Sequence, residues 1–240
     1  QSAFIAEQAA QCAFCMNGMV TGAKGWLDKR IAGGNKAVPT DDEVKQFLSA
    51  LPPEQYKEAI EEIGLAGNYQ HGTHVAGIAL DSAPFARLVV ARIEFDHHLK
   101  PDPCPSLALS RRSAASFGVT VDYLRAQKVR VVNMSWGGDV SGVEAQLEQC
   151  GTGKTPEERK KLARQLFEMD RVALTAAMAK APEILFVTSA GNSNDDPTFN
   201  ESIPSSIMLP NLLTVGAVDQ AGDEAGFTSY GSTVKVHANG

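Results

Sequence analysis

From residue 68 onward the chain alternates two textures. Short β-branched apolar runs occur at "RLVVARIEF" (87–95), "VRVVNMSW" (129–136), "EILFVTSAGN" (183–192) and "LLTVGAV" (212–218). Such near-continuous runs fit strands of a sheet buried on both faces. Between most of them lie longer segments with apolar residues every three or four positions, the helical repeat. These cover about 73–82, about 106–127, and "TPEERKKLARQLFEMDRVALTAAMAKAP" (155–182). Strands alternating with helices predict a parallel sheet with right-handed crossovers.

The first 67 residues read differently. "PTDDEVKQFLSAL" offers Thr40 as N-cap with Glu43 three residues on, a capping box, followed by Val44, Phe47, Leu48 and Leu51 at helical spacing. "PPEQYKEAIEEIG" opens on proline and closes at Gly64. Residues 1–19 also fit a helix, and the glycine-rich 21–39 reads as loop. The pattern predicts a helical segment over 1–67, with no strand of the main sheet, and an α/β domain over 68–240.

In open α/β sheets, ligands bind beyond the carboxyl ends of the strands. Two glycine-bearing turns sit there: "SWGGD" after the second run and "SAGNSND" after the third. Glycine lets a ligand approach the backbone, and Asn192 offers a side-chain N–H donor.

Composition narrows the partners. A 240-residue chain with 43% hydrophobic residues can bury one sizeable core. Its net charge of −6 gives no electrostatic case for nucleic acid. No run of about 18 apolar residues predicts a membrane span. Of four cysteines, Cys12 and Cys15 form a C-x-x-C, while Cys104 and Cys150 lie far apart. A structural zinc site needs a second spaced pair, so ordinary thiols or a disulfide fit better.

His71 and His74 stand three apart at the start of a helical pattern. A helical zinc-protease motif needs histidines four apart with a glutamate between, which is missing here. No metal ligand set emerges. A catalytic base with a structural neighbour, or two structural histidines, are the readings left.

Four segments, in order, change that balance. "HGTHVAGIA" (71–79) resembles the histidine motif of the subtilisin-like serine proteases, the subtilases. "VVNMSWGG" (131–138) is similar to their substrate-strand motif, and "FVTSAGNSN" (186–194) to their oxyanion-hole motif. "LLTVGAVDQAGDEAGFTSYG" (212–231) resembles the segment that follows. The resemblance implies a subtilisin-like α/β three-layer sandwich with a mostly parallel central sheet. It implies peptide-bond hydrolysis by a Ser-His-Asp triad, with an extended peptide or protein as substrate. His71 would be the general base, and His74 a structural helix position. Ser135, Trp136 and Gly137 would form one wall of the peptide cleft, and Ser189, Ala190 and Gly191 the other. Asn192 would donate to the oxyanion, a contribution of roughly 3–4 kcal/mol, known from subtilisin itself.

The family is largely secreted or cell-surface, and many members bind structural calcium. Asp195, Asp196 and Asp219 are candidate oxygen ligands, although such sites draw on six or more oxygens. No cofactor is required for the chemistry. The triad aspartate and serine have no visible counterparts: no acid follows an apolar strand in a strand-ending Asp-Thr/Ser-Gly context, and no Gly-Thr-Ser-Met-Ala turn occurs. The expectation is a central fragment of a serine endopeptidase, truncated before the nucleophile and inactive alone. The alternative is a degenerate subtilase-fold module that binds extended peptides without cutting them.

Overall fold

The structure is a computed structural model that describes residues 46, 49–52, 71–81, 83–91 and 103–240. The chain divides into two compact units. One holds residues 1–88 with 94–102, the other residues 89–93 with 103–240.

In the first unit, Gln46 and Ser49 are helical, and a helix, α1, covers 71–81. The expected caps at Thr40 and Gly64, the helix over 1–19 and the Cys12–Cys15 pair lie outside the described residues.

The second unit runs α2 (Leu107–Ala126), β1 (Val131–Met134), α3 (Val140–Gln149), α4 (Pro156–Ala179), β2 (Leu185–Ser189), β3 (Leu212–Val218) and β4 (Val234–Asn239). Local chemistry explains the helix starts. The side chains of Ser106, Asp139 and Thr155 accept the N–H groups of Leu109, Gly142 and Glu158, which would otherwise lack intrahelical partners. Pro156 occupies the first turn of α4, where its missing N–H costs nothing, and Glu158 reaches back to the N–H of Lys154. Past the end of α4, the amide of Asn211 donates to the carbonyls of Met178 and Ala181 at 3.0 Å each. One side chain thereby satisfies the helix end and fixes the entry to β3.

The four strands lie in the order β1-β2-β3-β4 and pair in parallel throughout. The fold is α/β, with a parallel sheet and helices. Helix α4 packs against both α2 and α3. Leu166, Phe167, Leu174 and Met178 of α4 bury with Phe186, Ile184, Met134, Leu124 and Leu147 in one apolar core. A disulfide joins Cys104, just ahead of α2, to Cys150, at the end of α3.

Three departures from the sequence pattern stand out. Of the expected strand over 87–95, residues 87–91 are not assigned to the four-stranded sheet, with Leu88 and Val90 exposed and Val89 against the core; residues 92–95 lie outside the described residues. Conversely, β4 forms from "VKVHAN", whose side chains are mostly exposed, because β3 offers it a ladder. The ten-residue α3 also arises directly after the "SWGGD" turn, where the sequence pattern assigned no element, once Asp139 caps it.

Candidate active site

The parallel register brings the ends of β1 and β2 side by side, Met134 opposite Thr188. Thr188 is buried and its hydroxyl donates to the Met134 carbonyl at 3.2 Å, tying the two strand ends together. Both predicted turns therefore emerge at the same carboxyl edge of the sheet.

After β1, the chain passes through Ser135, Trp136 and Gly137. The Asn133 amide donates to Ser135 Oγ at 2.9 Å. The indole of Trp136 lies flat on Phe117 of α2, with centroids 6.4 Å apart and planes within 1°. That ring is engaged in packing, and the exposed part of this segment is glycine backbone. Gly138 and Ile203 exchange backbone hydrogen bonds of 3.0 and 2.9 Å in an isolated antiparallel bridge. A Cβ on Gly137 would sit 3.1 Å from the Ile203 carbonyl oxygen, so this close approach favours glycine.

After β2, Ser189 is exposed, and Ala190 is buried with its N–H on the Val215 carbonyl at 2.8 Å. Gly191 then turns the chain with φ +119°, a conformation that favours glycine. Its absent side chain matters too: a Cβ there would lie 2.9 Å from Ser229 Oγ. Asn192 follows, exposed, and its side-chain amide has no hydrogen-bond partner among the described residues. The predicted donor thus stands at the strand end, available to an incoming group.

What holds that turn was not visible in the sequence. Ser229 is 1% exposed, and its N–H donates to the Gly191 carbonyl at 2.9 Å. Its hydroxyl accepts the Ser193 N–H at 3.4 Å and donates to Asp195 Oδ1 at 2.5 Å. The other oxygen of Asp195 accepts the Asn200 amide at 2.6 Å. Further backbone bonds join Asn194 to Phe227 and Tyr230 to Asp195. Ser229 lies 34 residues from Asp195, and nothing local in "FTSYG" announces the pairing.

His71 and His74 lie one turn apart within the described part of α1, and both residues are exposed. Neither is a sealed core histidine. Among the described residues, no three metal-ligating side chains cluster. Asp195, Asp196 and Asp219 each accept local hydrogen bonds. Asp195 is engaged as above. Asp196 accepts the N–H and hydroxyl of Thr198, which, with the Phe199 N–H, hold its carboxyl below the usual range, and Asp219 accepts the N–H groups of Ala221 and Asp223.

A profile of the subtilase family (peptidase S8) matches residues 51–240. The chain belongs to the subtilase family. Among solved structures it is similar to a lanthipeptide protease, at 19% identity and a TM-score of 0.35, over 55% of this chain and 34% of that one. A cold-adapted subtilisin-like serine proteinase matches at 23% identity and a TM-score of 0.29, over 53% and 36%. The chain thus spans about a third of the length of these proteases. A 50-residue stretch is also 48% identical to part of a nicotinate dehydrogenase subunit from Pseudomonas putida, covering 21% of this chain and 28% of that protein.

Proposed function

We propose that this chain is part of a serine endopeptidase that hydrolyses peptide bonds in extended peptide or protein substrates. Residues 68–240 supply subtilisin-like catalytic core, and residues 1–67 a helical extension. The observation that carries this reading is Asn192, an exposed donor with no hydrogen-bond partner among the described residues, on a glycine turn at the carboxyl end of β2. A module that only gripped peptides would gain nothing from such a donor, because no oxyanion forms in binding.

In the proposed reaction, His71 takes a proton from a nucleophilic serine and returns it to the leaving amine. The Asn192 N–H stabilises the tetrahedral oxyanion. The backbones of 135–137 and 189–191 flank the peptide, which binds chiefly through main-chain hydrogen bonds. The chemistry uses no cofactor. Of the site's serines, Ser135 accepts from the Asn133 amide, and Ser229 is buried with its hydroxyl donating to Asp195. The nucleophile and the orienting aspartate have no counterpart among these 240 residues, so the chain alone is inert. A secreted or cell-surface setting fits the Cys104–Cys150 disulfide, which persists in oxidising compartments. No described helix is long and apolar enough to cross a membrane.

The test is serine labelling and peptide turnover. A fluorophosphonate labels the whole protein and not the 240-residue chain, and His71→Ala in the whole protein lowers kcat by about 10⁶, the size seen in subtilisin. A whole protein that binds peptides but neither reacts with the label nor cleaves would establish the binding module instead.

A further inference from the structure

The segment 225–231 does more than connect β3 to β4. Thr228 Oγ1 accepts the N–H of Ala217 at 2.9 Å, pinning the end of β3. One residue on, Ser229 bonds to Gly191, Ser193 and Asp195, which bracket Asn192 on both sides. Both side chains are buried, so neither hydroxyl has water as a substitute partner. Asp195 is in turn steadied by Asn200 and by the Tyr230 N–H on its carbonyl.

We propose that Ser229, locked by Asp195, is a positioning residue for Asn192, fixing the direction in which the amide donor points. This rests on reading Asn192 as the oxyanion donor. Geometry supports a role beyond packing. The turn has little apolar burial of its own: residues 192–194 are exposed, and only hydrogen bonds hold them. Gly191 at φ +119° would otherwise leave two backbone torsions free immediately before the donor. Oxyanion stabilisation demands a donor already aimed where charge develops, because reorienting it during reaction forfeits the benefit. The Ser229 hydroxyl, which accepts from Ser193 and donates to Asp195, fixes the backbone after Asn192, while the Ser229 N–H holds the Gly191 carbonyl before it.

The test is a double-variant cycle in the whole protein, with kcat and KM measured on a chromogenic peptide and folding followed by thermal denaturation. Ser229→Ala is expected to lower kcat by about 10-fold or more with KM unchanged. Asn192→Ala is expected to lower kcat by at least ~100-fold. The double variant should be no slower than Asn192→Ala alone, since a positioning residue has no effect once its target is gone. If Ser229→Ala fails to fold, Asp195→Ala, at a half-buried position, breaks the same lock and should show the same selective and sub-additive loss. Losses that multiply fully, or that fall on KM alone, would overturn the inference. If Asn192→Ala itself leaves kcat intact, the oxyanion reading fails, and this inference with it. If Asn192→Ala is slow while neither Ser229→Ala nor Asp195→Ala is, the inference fails alone.

Discussion

The turns after β1 and β2 look alike in sequence, each small, glycine-bearing and placed at a strand end, yet they are built on different principles. The turn after β1 is held by backbone: the Gly138–Ile203 bridge, with Trp136 anchored on Phe117. The turn after β2 adds to its backbone bonds a buried side-chain lock, Ser229 with Asp195, which leaves the Asn192 amide unengaged among the described residues. A wall needs a fixed main chain and tolerates any side chain that stays out of the way. A catalytic donor needs a fixed main chain and a side chain with nothing else to bind. In the proposed reaction the two turns divide those tasks.

Glycine substitutions sharpen the contrast most strongly. Gly191→Ala forces a Cβ into a positive-φ position and to within 2.9 Å of Ser229 Oγ. It should cost about 2–4 kcal/mol of stability, measured by denaturant titration. Gly137→Ala meets only the Ile203 carbonyl oxygen at 3.1 Å, with no positive φ, and should cost about 1 kcal/mol. Equal costs at the two positions would show that both turns are held in the same way.

A smaller effect separates stability from the site. Asp170 lies in the buried stripe of α4, between Phe167 and Leu174, and one of its carboxyl oxygens is buried without a partner. Burial raises its pKa to about 6. The folded state therefore binds this proton more tightly than the unfolded state does. The penalty is absent below about pH 3.8, grows as pH rises and is complete above about pH 6. Allowing for its partial exposure, ionisation costs about 1 kcal/mol at neutral pH. Asp170→Asn should raise Tm by a few degrees at about pH 7.5 and by nothing at about pH 3.5. Because α4 supports the sheet and not the turns, kcat of the whole protein should not change. A gain in Tm that persists in acid would trace the effect to packing.

How much of this was legible depends on whether the signal was local. Ser106 and Thr155 cap α2 and α4 from one residue away, and β3 matches its apolar run residue for residue. β4 carries no apolar run of its own, because a strand is made by its neighbours, here β3. Within the site, Asn192 and the glycines could be placed from their motif and their strand ends. The Ser229–Asp195 lock could not, since a serine and an aspartate 34 residues apart carry no periodicity or spacing that binds them together. Trp136 was read as a cleft wall, and only the folded chain reveals its ring packed on α2.

The central claim is that Asn192 acts on the transition state. It is tested most directly by steady-state kinetics of Asn192→Ala in the whole protein on a single peptide substrate. The expected result is a fall in kcat of about 10²–10³, the range known for the equivalent asparagine of subtilisin, with KM within about twofold of the parent. A raised KM with kcat unchanged would contradict it, and would make Asn192 a substrate-binding residue instead.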